Sequence, residues 1–194
     1  MSDCLAPLHS GKLYLATDPE IMKLQSECLQ LQYEFNHTRP DEPERRQDLM
    51  AKMFMKLGKN CYIEPPFHCN WAGHFMSLGD NVYINFNFTA VDDTYIEIGN
   101  NVMIGPNVTI ATANHPENLA DRVQGFQYNR KVIIEDNVWL GAGVIVLPGI
   151  TIGKDSIVGA GSVVTRDVPP GVVAVGNPCT VRRPLRDDHA DLSQ

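Results

Sequence analysis

From Ile134 onward an aliphatic residue returns every six positions: Ile134, Leu140, Val146, Ile152, Val158 and Val164. Four positions after each stands Val138, Val144, Ile150, Ser156, Ser162 or Val168, all small or β-branched. Earlier copies run Leu78, Ile84, Ala90 and Ile98, Ile104, Ile110. A period of six fits neither the helical period of about 3.6 nor the strand alternation of 2. It fits a coil of three short strands, each sending one aliphatic side chain inward. Successive coils then stack at the strand spacing of about 4.8 Å, and the inward residues form columns. Asn81, Gly99, Asn101, Gly105, Asn107, Asn137 and Gly143 supply the backbone angles that the corners need. The pattern predicts a mainly β chain, a parallel β-helix of hexapeptide repeats.

The rhythm breaks twice. Ala90 and Ile98 are eight apart, so two extra residues sit near Val91–Tyr95. Between Ile110 and Ile134 it vanishes, and the polar stretch 111–133 holds His115, Pro116, Asn118, Asp121, Arg122 and Gly125. This reads as a long loop leaving the coil, and long loops in compact domains tend to carry function.

Before the repeats the period becomes helical. Asp18-Pro19-Glu20 reads as an N-cap with proline at the first helical position, followed by Leu24, Cys28, Leu31 and Phe35 on one face. Pro40 ends that helix, and Asp41 with Glu44 reads as a capping box for a second one. Leu49, Met53 and Leu57 form its apolar stripe, with Gly58 as its C-terminal cap. The expected organisation is a helical segment 1–58, the β-helix 59–180 with loop 111–133, and a tail 181–194. That tail carries Arg182, Arg183 and Arg186 before the acidic Asp187, Asp188 and Asp191.

Composition narrows the function. With 194 residues and 43 % apolar content the chain can bury a sizeable core. A net charge of -7 argues against a nucleic-acid-binding face. No apolar run reaches the roughly 18 residues of a membrane span, and Met1–Gly11 lacks a basic-then-apolar leader, so a cytoplasmic location is expected. The five cysteines are scattered without C-x-x-C spacing and read as reduced thiols used as small apolar residues.

Several motifs together carry a resemblance. They are Tyr33-Glu34-Phe35-Asn36-His37, Glu64-Pro65-Pro66, Asn85-Phe86-Asn87 with Asp92-Asp93, His115-Pro116, Asn137-Val138-Trp139-Leu140-Gly141 and Gly176-Asn177-Pro178. In this order they resemble the maltose and galactoside O-acetyltransferases, to which nodulation-type acetyltransferases are similar. The likeness runs from about Gly11 to Arg183. It implies a left-handed coil, which periodicity cannot reveal, and a homotrimer with active sites between subunits. It also implies acetyl-CoA as donor and a hydroxyl, often of a sugar, as acceptor. Two alternatives stand beside it: a hexapeptide acetyltransferase for a non-sugar acceptor, and a non-catalytic binding or scaffold protein.

By the same resemblance His115 is the catalytic base, and imidazole suits that task because its ordinary pKa of about 6.5 lies near working pH. Asn85 and Asp93 fall on acceptor-contacting positions, and an amide with a carboxylate suits sugar hydroxyls. Asn70 falls where relatives carry a small polar substrate contact. Asp18 matches an acceptor-binding aspartate, although its N-cap role explains it equally well. Ala142 and Ala160 match positions along the pantetheine arm, Ala142 replacing a serine of some relatives. Thr165, Arg166 and Arg183 match the nucleotide end, where arginine suits phosphate. Trp139 is open to two readings, lining the acyl or pantetheine site and buried packing. No metal is expected, because the loop offers only His115 to join His68 and His74.

Overall fold

The computed structural model describes residues 3–186, so the acidic residues Asp187, Asp188 and Asp191 lie outside the described part. The chain winds into a parallel solenoid of about six turns. Each turn contributes one short strand to each of three faces. The first face stacks Lys56–Leu57, Met76–Leu78, Ile96–Ile98, Val132–Ile134 and Thr151–Ile152. The second stacks Tyr62–Ile63, Tyr83–Ile84, Met103–Ile104, Trp139–Leu140, Ile157–Val158 and Val172–Val175. The third stacks Phe67–Cys69, Phe88–Val91, Thr109–Ala111, Ile145–Val146 and Val163–Val164.

The register puts the hexapeptide positions into columns. Leu78, Ile98, Ile134 and Ile152 lie in line on the first face. Ile63, Ile84, Ile104, Leu140, Val158 and Ala174 do so on the second. Every one of these side chains is at most 4 % exposed. The positions four residues on (Val138, Val144, Ser156 and Ser162) are fully buried as well, each just before a strand, so the corners feed the core in addition to the strands.

The corners divide the labour between asparagine and glycine. Asn60, Asn81, Asn101, Asn137 and Asp155 all have φ between 55° and 60°, a left-handed conformation that asparagine tolerates best among residues with a side chain. Their side chains form a ladder along the coil. Asn60 Nδ2 donates to Asn81 (3.1 Å), Asn81 to Asn101 (2.9 Å), Asn101 to Asn137 (2.9 Å), and Asn137 to the Asp155 carboxylate (2.7 Å). Gly99 and Gly105, expected to supply unusual angles, do not have positive φ; they allow close approach instead. A Cβ on Gly79 would lie 2.7 Å from the Gly99 backbone, and one on Gly99 would lie 2.7 Å from Asp136 N.

The helical segment covers the open start of the coil. Helix Pro19–Asn36 has Asp18 as N-cap, its carboxylate accepting from Glu20 N (2.8 Å) and Ile21 N (3.4 Å). Phe35 is fully buried and meets Phe67, worth about 2–3 kcal/mol of apolar burial. The second helix, Pro43–Met53, starts one residue later than its sequence suggests. Pro43 takes the first helical position, Glu42 is the N-cap, and Asp41 pairs with Arg39 instead of forming a capping box. Gly58 is no helix cap either. The helix stops at Met53, Lys56–Leu57 is the first strand of the coil, and a Cβ on Gly58 would lie 2.2 Å from Gly79 O.

The segment 111–133 is more ordered than a plain loop. Ala113–Asn114 pairs antiparallel with Phe126–Asn129, and Leu119–Val123 forms a short helix between them, capped by Asn118. Phe126–Asn129 also pairs with Tyr14–Leu15, giving a three-stranded sheet that ties the chain start to this excursion. At the other end, Thr180–Pro184 folds back antiparallel on Val172–Val175 and extends the second face. No described helix is long and apolar enough to cross a membrane.

Candidate active site

His115 follows the strand Ala113–Asn114 and is exposed. Its Nδ1 lies 3.1 Å from the backbone carbonyl oxygen of Phe126, on the partner strand of the same hairpin. A carbonyl only accepts, so Nδ1 carries the proton and Nε2 presents its lone pair. The hairpin therefore selects both the tautomer and the orientation of the ring.

Asp93 lies where the eight-residue break interrupts the rhythm, between the third and first faces. It is 6 % exposed and held by neutral donors, Asn70 Nδ2 at 3.0 Å on Oδ1 and Gln127 Nε2 at 3.2 Å on Oδ2. Burial raises its pKa, and these amides together with the charge of His115 pull it back.

Asn70 is brought to Asp93 by a tight turn. Ala72 and Gly73 have φ of 56° and 86°, and the turn is tied down by Asp92, which accepts from Trp71 N (2.7 Å) and Gly73 N (2.9 Å). Asp92 is fully buried, and burial pushes its pKa up to about 7 against the pull of those N–H groups. Tyr14, Gln25, Asn70, Trp71, Asp93 and Gln127 line a small cavity of about 120 Å³. Tyr14, Gln127, Asn129 and Asp92's tethering role carry no local signature. Tyr14 and Gln127 are 113 residues apart and meet only through strand pairing.

Asp18 does not line this cavity. It borders a neighbouring cleft of about 500 Å³ and spends its carboxylate on the helix N-terminus. Asn85 sits at the corner after Tyr83–Ile84, and its Oδ1 accepts from Phe86 N (2.8 Å). What Asn85 offers a ligand is therefore its Nδ2 donor pair.

Ala142 and Ala160 stack at one corner of the coil, exposed, and Gly161 N donates to Ala142 O at 2.8 Å. The stack is close because a Cβ on Gly141 would lie 2.6 Å from Ala160 N. Thr165 and Arg166 are exposed at a different corner, after Val163–Val164. Arg183 is exposed on the final strand and donates to Pro184 O at 3.1 Å. Within one chain these positions lie at different places along the later turns of the coil. Trp139 is 47 % exposed on the second face, so within one chain its ring is not packed in the core. His68, His74 and His115 are not gathered into a metal-binding group among the described residues.

Comparison with known proteins matches this architecture at both ends. Residues 8–58 match the maltose acetyltransferase hexapeptide capping motif, and residues 131–166 match the bacterial transferase hexapeptide of six repeats. A galactoside O-acetyltransferase of Lactococcus lactis is 53 % identical over 93 % of this chain and 87 % of its own. A maltose O-acetyltransferase structure from Clostridium difficile 630 superposes with a TM-score of 0.92 at 43 % identity, covering 94 % of this chain and 97 % of that one. A galactoside acetyltransferase solved in complex with coenzyme A gives 0.89 at 43 % identity, covering 92 % and 88 %. The solenoid is accordingly a left-handed parallel β-helix. Helical cap, hexapeptide coil and near-full-length identity agree, and the chain belongs to the maltose and galactoside O-acetyltransferase family of hexapeptide acyltransferases.

Proposed function

We propose that this protein transfers the acetyl group of acetyl-CoA to a hydroxyl of a sugar or sugar-like acceptor, with His115 as general base. The observation that carries the reading is the His115 Nδ1–Phe126 carbonyl contact of 3.1 Å. It leaves Nε2 as the free base on the hairpin whose second strand also carries Gln127 into the Asp93 cavity.

The reaction is direct attack in a ternary complex. Nε2 takes the acceptor's hydroxyl proton as its oxygen bonds to the thioester carbonyl carbon. The C–S bond then breaks, the thiolate leaves, and the imidazolium returns the proton to sulfur. The products are an acetyl ester and free CoA thiol. The carbonyl bond to Nδ1 holds the ring through both proton transfers. Asp93 and Asn70 suit the acceptor's hydroxyls, and the Nδ2 group of Asn85 suits a ligand oxygen. Thr165, Arg166 and Arg183 would hold the nucleotide end of CoA, with Ala142 and Ala160 along its arm. The named coenzyme A complex of the similar galactoside acetyltransferase supports this donor.

The working unit in this reading is a cytosolic homotrimer. Two surfaces support association between copies. Tyr62, Tyr83, Met103 and Trp139 form an outward apolar column on the second face, each at least 36 % exposed. Leu119 and Val123 project from the hairpin helix at 64 % and 77 % exposed.

The test is a thiol-release assay with acetyl-CoA and a sugar panel, read also by product mass. His115→Ala is expected to keep its oligomeric state and CoA binding while losing about 10²–10⁴ in turnover. Near-normal turnover in that variant would remove His115 as base. Thiol release no faster with any sugar than without would remove the acceptor class.

A further inference from the structure

Tyr14 is 7 % exposed, lines the Asp93 cavity and has its pKa raised, chiefly by burial, so the phenol keeps its proton. Its oxygen meets two amides, those of Gln127 and Asn129. Both present nitrogen to it, and the surrounding groups fix that choice. Gln127 Nε2 also faces the Asp93 carboxylate oxygen Oδ2 at 3.2 Å, where an amide oxygen would be repelled. Asn129 Nδ2 also faces the carbonyl oxygens of Leu8 (3.0 Å) and Asp93 (3.1 Å), which only accept. The two hydrogens of Asn129 Nδ2 are matched by the two carbonyls, and an amide nitrogen is no acceptor, so the phenol takes its hydrogen bond from Gln127 and gives none to either nitrogen. Among the described residues its own O–H donates no hydrogen bond, and the oxygen of the adjoining Asn129 amide, Oδ1, is likewise buried without a partner. Burial makes such an unused donor costly unless a ligand or water takes it.

Resting on the acceptor reading above, we propose that Tyr14 is an acceptor-binding residue whose O–H donates to a hydroxyl oxygen of a sugar seated against Asn70 and Asp93. The three groups divide the recognition. Asp93 accepts from the sugar, Tyr14 donates to it, and Gln127 holds both in place through its two amide hydrogens. An acceptor is therefore read for an oxygen at one position as well as for a hydroxyl proton at another. The chain start also becomes part of the site, because Tyr14 arrives on the strand paired with Phe126–Asn129.

The test compares wild type and Tyr14→Phe, as full chains, on a methyl hexoside that wild type acetylates and on its monodeoxy analogues, at saturating acetyl-CoA. Tyr14→Phe is expected to lower kcat/KM for the intact sugar about fivefold, the effect of one neutral hydrogen bond, with KM for acetyl-CoA unchanged. One deoxy analogue is expected to be about fivefold worse than the parent with wild type and to lose nothing further with the variant. Gln127→Leu, which keeps the phenol but frees it, is expected to weaken the same discrimination. An equal loss in Tyr14→Phe across every analogue would make the residue structural and overturn the proposal. Wild type acetylating no hexoside would overturn the acceptor reading and this proposal together, and that outcome is seen before any variant enters.

Discussion

Asn101 offers a direct measure of what the corner ladder contributes. Its φ is 55°, and its side chain both accepts from Asn81 Nδ2 and donates to Asn137 Oδ1, each at 2.9 Å. Asn101→Ala removes both exposed hydrogen bonds, about 0.5–1 kcal/mol each. It also puts a Cβ without a compensating polar group into the left-handed region, at about 1 kcal/mol more. The expected loss is about 2–3 kcal/mol. Asn101→Gly loses the same hydrogen bonds but is at ease at positive φ, against a smaller penalty from the freer unfolded chain. It should therefore be more stable than the alanine variant by about 0.5–1 kcal/mol. Neighbouring Asn100 is the control. It accepts from Asp80 N at 2.9 Å but has no positive φ, so there the order should reverse, with alanine above glycine. Urea unfolding at fixed protein concentration reads all four variants. If alanine equals or exceeds glycine at position 101, the left-handed corner is not what asparagine is supplying.

Two further predictions concern coil contact and pH. Gly79→Ala should destabilise the coil by more than about 3 kcal/mol, because its Cβ would lie 2.7 Å from the Gly99 backbone, which cannot step aside; a melting temperature close to wild type would refute the close approach. His9 stacks on Tyr95 with ring centroids 4.4 Å apart, and burial lowers the pKa of both His9 and His74, with the His74 charge adding to the effect at His9. The unfolded chain then binds more protons, so their contribution is complete above about pH 6.5 and is lost as pH falls through the lower folded values. Stability measured from pH 7.5 down to 5 should fall less steeply in a His9→Phe, His74→Phe double variant, and an unchanged slope would refute the assignment.

The coil was legible in the sequence because its cause is local and repeated. Each inward Ile, Leu or Val marks one strand, each corner asparagine marks one left-handed residue, and the two breaks in the rhythm marked where Asp93 and His115 leave it. The start of the first helix was legible for the same reason, since Asp18 and Pro19 act on backbone groups one to three residues away. The start of the second helix is ambiguous in the sequence because Asp41 and Pro43 both offer one, and Pro43, lacking an N–H, takes the first helical position. Gly58 carried an ambiguous sign, since a glycine looks alike whether it ends a helix or lets two coils touch.

The sequence by itself determined the repeating core and the chemistry available at His115, Asn85 and Asp93. The tertiary structure alone decided what those groups can do. It protonated Nδ1 of His115 by placing the Phe126 carbonyl beside it. It bound Asp92 to a turn 19 to 21 residues away, and brought Tyr14 onto Gln127 across 113 residues. It also turned Trp139 outward and kept Asp18 at its helix. The physical reason is one of range. A strand or corner preference is settled by a residue and its near neighbours. A tautomer, a carboxylate's pKa or the direction of a phenol's proton is settled by whichever distant groups the fold packs against it.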